Sequence, residues 1–161
     1  DAFNGDAATV QGVEMMFSAD LVSGRSFSLP LSLNYTYIKS RFDSDIADTD
    51  FFGAVDKGDP IPYIPEHQLN VSLGVEKDRW SSYVNLSYVD EVCVKASCGA
   101  FEKTDAALVL DVTAHYAFSD NLSFYGKVEN LTGEEDIMGR QPYGARPNKD
   151  RTAIFGLRLN F

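Results

Sequence analysis

Long apolar runs are missing from this sequence. The longest strictly apolar stretch, residues 106–110, covers five positions, far short of the roughly 18–20 that carry a helix across a bilayer. If the chain crosses a membrane, it crosses with strands. Helical periodicity is missing too, since no segment sustains an apolar repeat of about 3.6 residues over three turns. Basic residues are in deficit: 14 Lys and Arg stand against 24 Asp and Glu, a net charge of −10. That balance argues against a nucleic-acid surface, which needs clustered Lys and Arg. Cysteine is confined to Cys93 and Cys98, and the two histidines, His67 and His115, fall in other segments. A metal site therefore lacks ligands, and no nucleophile–base pair or phosphate loop marks an enzyme. No resident cofactor is expected. Asp1 opens the chain without an initiator Met or the charged and apolar regions of a signal peptide, as though cut from something longer. The length, 161 residues with 44% hydrophobic and 12% aromatic content, suits one folded domain.

What the sequence has is a period of two. Residues 151–161 alternate Phe155, Leu157, Leu159 and Phe161 with Ile154, Gly156, Arg158 and Asn160. This is the side-chain period of a strand, and its length matches the ~9–11 residues of a tilted membrane strand. The same pattern recurs upstream. It predicts a strand over 7–20, with Val13, Met15, Phe17 and Ala19 against Gly12, Glu14 and Met16. A second follows over 26–39, where Leu31, Leu33, Tyr35 and Tyr37 oppose Ser32, Asn34 and Thr36. Pro30 lies inside it and cannot donate to a ladder, so a bulge is expected there. Further strands are expected over 66–76, 80–90, 106–118 and 122–130.

The seven strands are joined alternately by short turns (22–25, 77–79, 119–121) and long loops (41–65, around Cys93 and Cys98, and 131–150). A soluble sandwich does not sort its connections this way, whereas transmembrane up-and-down barrels do. One face of each strand is apolar, and the other is small and polar, as a water-facing lumen would be. Tyr35, Tyr37, Trp80, Tyr88, Tyr116, Phe118 and Phe161 fall near strand ends, where interfacial girdles form. The expected fold is all-β: a transmembrane antiparallel barrel wall.

Several stretches resemble one family. A strand ending in a C-terminal Phe is similar to the closing strand of bacterial outer-membrane barrels. Gly5-Asp-Ala-Ala-Thr-Val-Gln-Gly-Val-Glu14 resembles a strand opening of the TonB-dependent outer-membrane transporters. Val128-Glu-Asn-Leu-Thr-Gly133 resembles their Val-x-Asn-Leu-Phe-Asp segment, with Thr132-Gly133 where Phe-Asp is usual. Arg140-Gln-Pro-Tyr-Gly-Ala-Arg146, with Pro147 and Arg151-Thr152, resembles the run before the last strand in the ferric-citrate-like branch. The resemblance implies a barrel of about 22 strands with a plugged lumen, of which residues 1–161 would be the C-terminal portion. It also implies import of a ferric chelate or similar scarce nutrient across the bacterial outer membrane. The implied partners are outer-membrane lipid, the rest of the barrel, a plug domain, TonB through a missing N-terminal part, and an anionic metal chelate. Iron would enter only as part of that cargo. A small structural or adhesive barrel without transport is the alternative.

Individual residues carry further expectations. Cys93 and Cys98, spaced C-x4-C in an exposed loop, read as a local disulfide in an oxidising compartment. Five Asn-x-Ser/Thr sequons (at Asn34, Asn70, Asn85, Asn121 and Asn130) read as a by-product of alternating polar positions, because three lie mid-strand. The aspartates of the first long loop (Asp43, Asp45, Asp48, Asp50, Asp56, Asp59) lack the ordered spacing of a calcium loop and read as a solvated surface. The last loop is different. Between Gly139 and Arg151 it holds Arg140, Arg146, Lys149 and Arg151 against Asp150 alone. Guanidinium forks match carboxylates, so Arg140, Gln141, Tyr143 and Arg146 are candidate contacts for an anionic chelate. Organising the entry to the last strand is the competing role. Asp111, His115, Lys127, Glu129 and Arg158 should project to the lumen, in a charge network of the kind that holds a plug.

Overall fold

A computed structural model describes residues 7–22, 26–49 and 53–161. The expected opening loop at 1–6, most of the turn at 22–25, and Asp50 lie outside the described residues, as does the side chain of Asp48. Eleven strands are present among them: β1 (Ala8–Asp20), β2 (Pro30–Phe42), β3 (Ile46–Thr49), β4 (Gly53–Val55), β5 (His67–Lys77), β6 (Trp80–Val89), β7 (Ala107–Ala117), β8 (Leu122–Glu129), β9 (Ile137–Gly139), β10 (Arg146–Pro147) and β11 (Thr152–Leu159). A single 3-10 turn, Ala100–Glu102, is the only helical element among the described residues. No helix there is long and apolar enough to cross a membrane.

Seven of the strands form one antiparallel sheet in the order β1-β2-β5-β6-β7-β8-β11. Every neighbour in that order is also the next long strand in the chain, which is the up-and-down arrangement expected. The sheet is not closed, because β1 and β11 are its two edges. The four remaining strands form two small hairpins, β3 with β4 and β9 with β10. Both lie inside stretches read from sequence as loops, and their two- to four-residue strands are too short to show a period.

Register assigns the faces. On one side Ser18 pairs with Ser32, Ser32 with Ser72, Ser72 with Asn85 and Asn85 with Asp111. This polar row continues lower down through Ser81, His115, Tyr125 and Gly156. The opposite face carries Leu33 beside Val71, Val71 beside Leu86, Leu86 beside Leu110, and Phe124 beside Leu157. The apolar face is the lipid face, and on it Phe155 and Leu157 are each 66% exposed. The three mid-strand sequon residues, Asn34, Asn70 and Asn85, all fall on the polar face.

Aromatic residues mark both rims of the apolar face. At the end bearing the long loops, Tyr35 Oη and His67 Nδ1 are hydrogen-bonded at 2.8 Å and Tyr37 packs against the same imidazole. At the short-turn end Trp80 leans on Tyr116, which meets Phe118 edge to face with centroids 4.9 Å apart. Rings at these two levels bracket the hydrocarbon layer.

Pro30 corrects the expected bulge. The sum of paired positions is constant from Ser28 with Glu76 through Leu31 with Leu73, so no residue is inserted. Pro30 begins β2 and costs the ladder one rung opposite Gly74. The glycine is what admits it: a Cβ at Gly74 would sit 2.8 Å from Pro30 Cγ and 2.5 Å from the Tyr83 ring. Gly156 plays the same part under Tyr125, whose phenol would stand 2.3 Å from an added Cβ. In each case a bare backbone on the lumen face gives an aromatic ring a place to lie.

Candidate functional site

The three long connections emerge at one end of the sheet and pack on one another. Phe42, Val55 and Ala96 form a small buried cluster, joined by Ile46 and Ile61. Ala96 comes from the second loop and the others from the end of β2 and the first loop, so this core sits where the wall meets its loops. Three aspartates of the first loop, Asp43, Asp45 and Asp59, serve local geometry. Asp43 accepts a hydrogen bond from Thr9 Oγ1 at 2.5 Å and from Arg41 Nε at 3.2 Å, and those bonds, Thr9 foremost, hold its carboxyl below the usual range despite some burial. Asp45 accepts the Lys57 N–H at 2.7 Å, and Asp59 accepts that of Asp56 at 3.0 Å. Among the described residues no three His, Cys, Asp or Glu side chains gather as metal ligands.

The second loop is a clasped hairpin. Cys93 and Cys98 are disulfide-bonded with Cα atoms 5.7 Å apart. Cys93 pairs with Lys103 as an isolated bridge, and Val94 N–H donates to Glu102 O at 2.9 Å. Glu102 caps the tip by accepting the Gly99 N–H at 3.1 Å and pairing with Lys95. Those two contacts, the backbone bond first, lower its pKa below 4.5.

The third loop is organised by Asn130, which is 2% exposed and has φ 49°. Its side-chain amide donates to Glu134 O at 2.8 Å and to Lys149 O at 2.9 Å, while its Oδ1 accepts the Gly133 N–H. Asn tolerates the left-handed region better than most residues and supplies both donors and an acceptor. The two arms of the loop are thereby held together at their base. Arg151 also caps the turn, donating to Thr132 O at 2.8 Å.

The four candidate ligand residues lie at the tip of this loop. Arg140 is half-buried and its Nε donates to Lys103 O of the second loop. Gln141 donates its N–H to Tyr63 Oη of the first loop at 3.3 Å. Arg146, exposed, donates from Nη2 to Gln141 O at 2.6 Å, and Tyr143 is 91% exposed. Both arginines therefore have a structural contact and retain other guanidinium nitrogens. Arg146 and Arg151 each donate a side-chain bond to a carbonyl of this loop.

On the lumen face, Lys127 bonds Glu129 at 2.7 Å and lies 4.0 Å from Asp111, and Lys149 closes on Glu129 from the third loop. The expected charge network thus exists around Lys127 and reaches the loop. His115 lies lower on the same face, opposite Ser81 and Tyr125, and Arg158 lies opposite Ser123 near the short-turn end. Neither joins the network. The contacts of Lys103 and Tyr63 with this loop are not legible in the sequence, because each pairs a side chain of one loop with a backbone group of another.

The family model for the TonB dependent receptor-like β-barrel matches residues 1–131. No curated protein matches the chain. Among solved structures, the ferric-catecholate import receptor Fiu from K12 E. coli, in its closed form, superposes with a TM-score of 0.73 at 21% identity, over 96% of this chain and 21% of that one. The siderophore receptor PiuA from Acinetobacter baumannii gives 0.74 at 15% identity, over 94% and 22%. The outer membrane transporter YddB from Escherichia coli gives 0.69 at 12% identity, over 96% and 25%. At these identities the likeness is one of fold, and the chain spans about a fifth to a quarter of each structure's length. The family match and the two-faced sheet agree: this chain is part of the outer-membrane β-barrel of a TonB-dependent receptor.

Proposed function

We propose that the whole protein binds a ferric chelate, a siderophore or a ferric-citrate-like complex, and imports it across the outer membrane. Residues 1–161 would be the C-terminal portion of its barrel. The plug, and the segment that meets TonB, would belong to other parts of the protein. The chain itself would carry no catalysis and no resident cofactor, with iron present only within the cargo.

The observation that supports this reading is that Arg140, Gln141, Tyr143 and Arg146 lie together at the tip of the third loop, at the long-loop end of the sheet. In a chain of net charge −10, cations grouped there favour an anionic ligand, and guanidinium groups suit carboxylate or catecholate oxygens. The open sheet supports a larger barrel over a small structural one. Bare backbone groups at β1 and β11 would each cost several kcal/mol in hydrocarbon, so further strands must cover them. Deleting the gene and testing growth on defined iron sources examines the proposal. Loss of growth on one ferric chelate, restored by the intact receptor, is expected. Unchanged growth and uptake on every ferric chelate tried would sink it.

A further inference from the structure

Tyr63 touches both other loops at once. Its N–H donates to Cys93 O at 3.0 Å, and its hydroxyl accepts the Gln141 N–H at 3.3 Å. Cys93 is paired with Lys103, whose carbonyl in turn accepts Arg140 Nε. The disulfide hairpin therefore presents one side of a single rung to the first loop and the other to the third. Asp105 and Ile137 add a second attachment, through N–H to O at 2.9 Å and Ile137 N–H to Asp105 Oδ2 at 2.8 Å.

Tyr63 has φ 61°. A bulky side chain in the left-handed region is strained and persists where its surroundings impose it. At the far end of the contact, the peptide groups of Gln141 are held on both sides. Its N–H meets Tyr63 and its C=O receives Arg146 Nη2. The hydroxyl of one first-loop residue thereby fixes the backbone between the two arginines.

We infer that Tyr63 is a positioning residue for the ligand loop, setting the separation and orientation of Arg140 and Arg146 through Gln141 and the Cys93–Lys103 rung. This rests on the third loop being the chelate-binding loop. Tyr63 contributes no charge to the ligand; it acts by limiting where the two guanidinium groups can go, so that less ordering remains when an anion binds.

Tyr63→Phe in the full receptor removes the hydroxyl and keeps the ring. Two readouts are taken: affinity for ferric citrate and a ferric tris-catecholate on intact cells at matched abundance, and backbone amide exchange of the purified receptor. Loss of one neutral hydrogen bond predicts affinity roughly three- to tenfold weaker, with faster exchange confined to residues 137–147 and strand amides unchanged. Reducing Cys93–Cys98 in the wild-type receptor should speed exchange over the same residues. Unchanged exchange there in Tyr63→Phe overturns the inference, and so does unchanged affinity in Tyr63→Phe where Arg146→Ala weakens binding. If Arg146→Ala and Tyr63→Phe both bind normally, the reading of the third loop as the ligand loop fails with it.

Discussion

The backbone N–H of Asn130 donates to Asp111 Oδ1 at 2.9 Å, tying the first residue beyond β8 to the lumen face of β7. Asn130 is thus bonded at once to the wall and to both arms of the third loop. Asn130→Ala should leave the Glu134 and Lys149 carbonyls without their side-chain donor, take the Oδ1 acceptor from the Gly133 N–H, and place Ala at φ 49°. A loss of about 2–4 kcal/mol is expected from unmade buried bonds at roughly 1–3 kcal/mol each, partly relieved by water. Proteolysis of the third loop in the folded receptor measures it. Asn130→Asp, which turns a carboxylate oxygen toward the Glu134 and Lys149 carbonyls in a buried site, should be at least as destabilising at neutral pH.

Leu157 lies opposite Phe124 on the apolar face and is 66% exposed. Leu157→Arg should cost roughly 2–4 kcal/mol near the midplane, read as reduced folding yield of the full barrel in bilayers. Stability unaffected by Leu157→Arg would reverse the orientation.

Gly156 gives Tyr125 its place, with only 2.3 Å between an added Cβ and the phenol. Gly156→Val should destabilise by about 1–3 kcal/mol through overpacking. Adding Tyr125→Ala removes the clash, so the double variant should recover part of that loss. Equal stability in single and double variants would show that the ring moves aside freely.

Arg146→Ala should weaken binding of an anionic chelate ten- to a hundredfold, on the basis of about 1.5–3 kcal/mol for a charge-assisted contact. Arg146→Lys should rescue poorly, since it lacks the planar fork. Arg140→Ala should do two things, because Arg140 also holds Lys103 O: weaken binding and loosen the third loop from the second. Normal affinity in both variants at normal abundance would leave the loop as scaffolding.

Glu102 has a folded-state pKa below its ordinary 4.5, set first by the Gly99 N–H and then by Lys95. A lowered carboxyl contributes stability that is full above the ordinary value and lost as pH falls through the folded one. Asp136 has the opposite sign: burial, then Glu134 and Asp105, raise it, so its ionisation opposes the fold and its protonation on acidification relieves this. Protection of the Gly99 amide, expressed relative to the intrinsic exchange rate at each pH, should therefore fall on acidification, and Glu102→Gln should flatten that dependence. A parallel fall in Glu102→Gln would assign the effect to another group.

The sequence by itself determined the wall. Strand faces follow from a period of two, and the alternation of short and long connections fixed the topology, because both are local properties of neighbouring side chains. Loop charge was legible too, which is why Arg140 and Arg146 stood out. Only the tertiary structure decided how the loops meet. The bond from Gln141 to Tyr63 spans 78 positions and that from Arg140 to Lys103 spans 37, and both end on atoms that no residue pattern reports. Pro30 shows the same limit: its bulge was inferred from a missing donor, but what the ladder did there depended on Gly74, in a strand the chain reaches 44 residues later. Periodicity encodes which way a side chain points, while the fit between distant backbones is set by the space left once the strands have paired.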